Sequence, residues 1–112
     1  MKNSKRILVL LAAVLLWTGS ASAQLTLVEN GQSAFKIVRA DDASARTLLA
    51  AQELHDFLKQ VTSAEFPIVS DMTPMEDCEI IVGDNAHLRQ LPVTVDFAKV
   101  GPQGFTIRTV GR

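Results

Sequence analysis

Residues 43–61 restrict this chain's fold more than any other stretch. Leu48, Ala51, Leu54, Leu58 and Val61 recur at spacings of three and four, with Ala50 and Phe57 widening the stripe. Arg46, Gln52, Glu53, Asp56, Lys59 and Gln60 fill the other side. That period predicts one amphipathic helix with an apolar face to bury against a sheet. The stripe therefore reads as core, not as a binding groove. Asp41, Asp42 and Ser44 offer N-caps, and two carboxylates suit the positive end of a helix dipole. Thr62-Ser63-Ala64-Glu65 supplies the turn that ends it.

The flanking runs are of β type. Leu25-Thr26-Leu27-Val28 and Phe35-Lys36-Ile37-Val38 bracket Asn30-Gly31, whose residues both tolerate positive φ. This predicts a β-hairpin, with Phe35 and Ile37 on one face and Lys36 and Val38 on the other. After the helix, Phe66-Pro67-Ile68-Val69 reads as an edge strand or one that begins at Pro67, because proline cannot donate to a ladder. Residues 70–77 read as a loop. Glu79-Ile80-Ile81-Val82-Gly83 is a continuous apolar run, expected to be the central strand. Asp84-Asn85 can cap a helical turn through Gln90, which Leu91-Pro92 closes. Residues 93–100 fit either a short strand or a loop across the sheet. Phe105-Thr106-Ile107-Arg108-Thr109-Val110 alternates as a strand after the Gly101-Pro102-Gln103-Gly104 turn. The expected class is α+β: a mixed β-sheet with one long helix packed on a face.

Residues 1–23 have the layout of a secretory signal peptide. Lys2, Lys5 and Arg6 precede an apolar run from Ile7 to Trp17, and Ala21-Ser22-Ala23 supplies a small-x-small cleavage site. The run is short for a bilayer span. Export to the periplasm or the extracellular space is expected, with membrane contact only through the signal. Residues 24–112 then form one small domain. Removing Lys2, Lys5 and Arg6 leaves eight basic against twelve acidic residues, a net charge of −4. Without a basic cluster to neutralise phosphates, nucleic acid is set aside as a partner. Cys78 is the only cysteine, so no intramolecular disulfide can form, and it reads as a small buried residue at the start of a strand.

No catalytic, cofactor-binding or metal-ligating residue is assigned. The paired carboxylates are Asp41/Asp42, Glu53/Asp56 and Glu76/Asp77. The first is explained by helix capping and the second by a solvated helix face. The third lies in a loop with no apolar run beside it to desolvate an acid. His55 and His87, the two histidines, belong to no ligand-spaced motif. His55 reads as a surface or boundary helix residue and His87 as part of the turn after the central strand. Gly83-Asp84-Asn85 follows a strand as an anion-binding loop would, but no phosphate-loop spacing is present. The five Phe residues fall within apolar patterns, and past residue 23 there is no Trp or Tyr to make a sugar platform.

The order of these motifs resembles a known domain. The carrying pieces are the strand pair, residues 48–62 (LLAAQELHDFLKQVT), Phe66-Pro67-Ile68-Val69, Ile80-Ile81-Val82-Gly83 and Gly101-Pro102-Gln103-Gly104-Phe105-Thr106-Ile107. They look like the N-terminal α/β domain that precedes the catalytic barrel of bacterial α-glucuronidases. The equivalent domain of β-hexosaminidases, the family 20 glycoside hydrolases, and of related secreted proteins is similar. The resemblance implies a non-catalytic accessory domain of an exported carbohydrate-active hydrolase, acting on a polysaccharide or oligosaccharide. The catalytic carboxylates of those families lie in the downstream (β/α)8 barrel, so no residue here inherits a catalytic role and no cofactor is implied. Such domains continue past the Phe105 strand, so the chain is expected to be incomplete at its C-terminus. The rival expectation is a small secreted glycan-binding or protein-interaction domain that acts alone.

Overall fold

The structure, a computed structural model, describes residues 24–111. The proposed signal peptide lies outside the described residues. Three short strands form a sheet: β1 (Lys36–Arg39), β2 (Ile68–Ser70) and β3 (Glu79–Ile81). Helix α1 (Ala45–Thr62) connects β1 to β2. Two shorter helices follow, α2 (Ala86–Gln90) and α3 (Phe97–Val100). The class is α+β, a three-stranded sheet with a long helix.

Strand order is β2-β1-β3, and both pairings are parallel. The mixed sheet expected from the sequence is therefore corrected, since every ladder among the described residues is parallel. So is the central position expected for residues 79–83, because β1 occupies the centre and β3 lies at an edge. The hairpin fails for the same physical reason. A strand has two edges, and those of β1 are taken by β2 and β3, which leaves none for residues 25–28. The Asn30-Gly31 turn does form, with φ of 51° and 74°. It closes only a single bridge between Glu29 and Gln32. Pro67 does what its chemistry allows. It precedes an edge strand and uses its carbonyl to accept the Ile37 amide at 2.8 Å.

Register explains the core. Ile37 is level with Ile68 and Ile80, while Val38 is level with Val69 and Ile81. Since side chains alternate between faces, the first three share one side. On that side Ile37, Ala51, Ala64 and Phe66 form the buried cluster, flanked by Phe35, Leu54, Leu58, Ile68, Ile80 and Val82. Phe66 and Ile37 are fully buried. Removing an aromatic ring and a branched aliphatic chain from water contributes roughly 1.5–3 kcal/mol each.

Helix α1 begins at Ser44, whose hydroxyl accepts the Thr47 amide at 3.2 Å. It ends at Ser63, which takes a left-handed φ of 60° and donates its amide to the Lys59 carbonyl. Ala51 is buried, and Leu54 and Leu58 are half-buried against the core. The predicted stripe is wider than the sheet covers. Ala50, Phe57 and Val61 remain exposed along one flank, Phe57 at 63% and Val61 at 66%. At the other end of the contact Gly83, with φ of 77°, approaches α1 closely. A Cβ there would sit 2.9 Å from the Thr47 methyl.

Residues 105–110 form no strand. Phe105 and Ile107 are 85% and 83% exposed. Alternation produces a strand only where a neighbouring ladder satisfies the backbone, and no described strand pairs with this stretch. Residues 93–100 resolve into neither expected form alone. They end in α3, which Asp96 caps by accepting the Lys99 amide at 3.1 Å.

Candidate functional site

In a parallel sheet the side-chain-bearing loops gather beyond the carboxyl ends of the strands, and ligands bind where neighbouring connections diverge. Here the chain passes from β1 to β2 on one side and then crosses to β3 on the other, so that point lies beyond the C-terminus of β1. A crevice of about 320 Å³ sits there. Ala40, Asp41 and Asp42 follow β1, Asp71 and Met72 follow β2, and Asp84, Ala86 and Arg89 follow β3.

Two carboxylates of this crevice, Asp41 and Asp71, hold loops together. Asp41 accepts Arg39 at 2.6 Å through Oδ1 and the Ser70 hydroxyl at 2.7 Å through Oδ2. The Ser70 hydrogen bond, followed by that from Arg39, holds the Asp41 carboxyl below its ordinary pKa. Asp71 Oδ2 accepts the Ala86 amide at 2.8 Å, fastening the loop after β2 to the first turn of α2. Asp84 lies 3.3 Å from Arg89. Among the described residues no three His, Cys, Asp or Glu side chains converge as metal ligands would.

The other sequence candidates are spread over the surface. Asp41 and Asp42 border the crevice rather than capping α1, a role that falls to Ser44. Glu53 is exposed on the helix, and Asp56 accepts hydrogen bonds from Gln52 and His55. Those bonds, His55's first, lower the Asp56 pKa. His55 is a boundary residue, 3.7 Å from Glu65, which also pairs with Lys59. The Lys59 bond lowers the Glu65 pKa and raises that of Lys59. Glu76 pairs with Lys36 at 2.7 Å, and Asp77 is exposed nearby. Cys78 is half-buried just before β3. No pair of carboxylates among these is enclosed together.

His87 is the residue whose setting the sequence did not reveal. It lies inside α2 and is 1% exposed. Its Nδ1 is 2.8 Å from Glu79 Oε2, and its Nε2 is 2.7 Å from the Thr73 carbonyl. The Glu79 side chain is itself only 5% exposed. Burial pushes the imidazole pKa down, but the hydrogen bonds to Glu79 and Thr73 and the charges of Glu79 and Asp71 outweigh it. The pKa is raised above its ordinary 6.5. The helix start at Asn85 aims this ring inward. Asn85 is fully buried and accepts the amides of His87 and Leu88 at 3.0 and 3.1 Å. The Asn85 cap was legible in the sequence, but the partners that bury the ring come from two other segments.

Comparison of the chain with family models, with curated proteins and with solved structures finds no match.

Proposed function

We propose that this chain is a non-catalytic accessory domain of an exported carbohydrate-active hydrolase of the α-glucuronidase or hexosaminidase type. Its role is to support a catalytic barrel through its apolar surfaces. The motif order across residues 25–107 supports the family reading. The observation that carries the role is the uncovered flank of α1, where Ala50, Phe57 and Val61 continue a stripe already half used by the core. Phe105 and Ile107 add a second exposed apolar run. Large apolar side chains left exposed along one helix flank fit contact with another protein body. Asp41 and Asp71 of the crevice are engaged in ties between loops, which fits a scaffold better than general acid–base chemistry.

Sequencing the gene past codon 112 tests the reading. An in-frame barrel-encoding region is expected, and an immediate stop codon removes the proposed partner. Calorimetry of the chain alone against xylan- and chitin-derived oligosaccharides is expected to show no heat. A clear binding isotherm would favour a glycan-binding domain that acts alone.

A further inference from the structure

The partners of the His87 ring fix its proton count. A backbone carbonyl can only accept, so Nε2, 2.7 Å from Thr73, must carry a hydrogen. In a neutral ring with that tautomer Nδ1 would present a lone pair to Glu79 Oε2 at 2.8 Å. Two lone pairs cannot make a hydrogen bond, so one further proton must lie between these atoms. The other carboxyl oxygen, Oε1, already accepts the Glu76 amide at 2.8 Å. Carried on the ring, that proton makes an imidazolium donating to a carboxylate, with both side chains removed from water.

This pair joins three pieces of chain. Thr73 belongs to the loop after β2, Glu79 to β3 and His87 to α2. We propose that Thr73, Glu79 and His87 form a proton-operated latch, fastening α2 and the 71–78 loop to β3 and releasing them when the shared proton is lost in alkaline medium. The same release slackens one wall of the crevice, because Asp71 and Met72 sit on that loop and Ala86 and Arg89 on α2.

The charged groups around the ring act in a consistent direction. Glu79 faces it from β3, and Asp71 adds negative charge from the loop. Glu76 contributes its amide to Glu79 while its side chain pairs with Lys36 of β1. On the helix itself Arg89 is paired with Asp84. The raised pKa of His87 sets the sign. An imidazole that binds its proton more tightly when folded gives full stabilisation below its ordinary value. That stabilisation is lost as pH rises from the ordinary value through the folded one, by at most about tenfold in the closing equilibrium per pH unit.

Glu79→Gln separates this device from ordinary packing. The carboxamide it introduces could accept the Glu76 amide through its oxygen and donate its NH2 to a neutral Nδ1, so the three connections persist with no ionisable pair. The experiment is amide hydrogen exchange on the full chain from about pH 6 to about pH 10, a range that spans the ordinary imidazole value of ~6.5. Protection at residues 73, 75, 76 and 86–90 is expected to fall with rising pH, by at most about tenfold per unit, in wild type and to stay level in the variant. Level protection in wild type, or the same fall in Glu79→Gln, overturns the proposal. Imidazole nitrogen shifts of His87 decide it without any variant. Both nitrogens are expected to be protonated near pH 7, and an unprotonated Nδ1 there also overturns it.

Discussion

Strand β1 and residues 105–110 carry related patterns and reach opposite ends. In β1 the sequence Lys36-Ile37-Val38-Arg39 places two apolar residues between two cations, and both Ile37 and Val38 are fully buried. In the later stretch Phe105 and Ile107 alternate with Thr106 and Arg108, a cleaner strand pattern, and both are more than four-fifths exposed. What separates them is neighbours. The backbone of β1 is paired on both sides and α1 covers one of its faces. Residues 105–110 have no ladder among the described strands. Periodicity therefore states which face a strand would bury, and topology decides whether there is anything to bury it against.

Substitutions can break that contrast. Phe66→Ala should cost about 3–5 kcal/mol in a urea melt, since it empties a fully buried ring position beside Ile37. A loss below about 1 kcal/mol would mean that the assigned core is not the core. Asn85→Ala should cost about 1–2 kcal/mol, because it uncaps the His87 and Leu88 amides. Its carboxamide also lies 3.5 and 3.4 Å from the Val38 and Val82 carbonyls, so the cap of α2 reaches back to the central strand. Phe105→Ala should change the melt by no more than about 0.5 kcal/mol. A loss comparable with that of Phe66→Ala would show residues 105–110 to be packed, and would erase the distinction from β1.

Much of the scaffold was legible in the sequence. The stripe at three- and four-residue spacings located α1 to within two residues at its start and one at its end. Asp84-Asn85 announced the capped turn of α2, and of the two places Pro67 allowed, an edge strand or the first residue of a strand, β2 takes the edge. Two kinds of information were not local enough to read. Which strand is central depends on pairings between residues more than thirty positions apart, as between Ile37 and Ile68. The charged ends of β1 disguised it, while the longer apolar run at residues 80–82 looked more central. The burial of His87 depends on three segments meeting. No spacing of histidine with carboxylate near it in sequence distinguishes such a pair from a solvated one like His55 and Asp56.

The central place of β1 has a kinetic consequence. Its partners lie on opposite sides, with Ile37 level with Ile68 on one and with Ile80 on the other. Closing the longer of these two loops costs only about 0.3 kcal/mol more than closing the shorter, since the penalty grows with the logarithm of length. Loop entropy thus scarcely ranks the two ladders. Helix α1 does, because it packs on both β1 and β2 and can carry them together as one folding unit. A chain made from its N-terminus would have that unit ready first. The β3 edge would join later, bringing Glu79 and α2 with it.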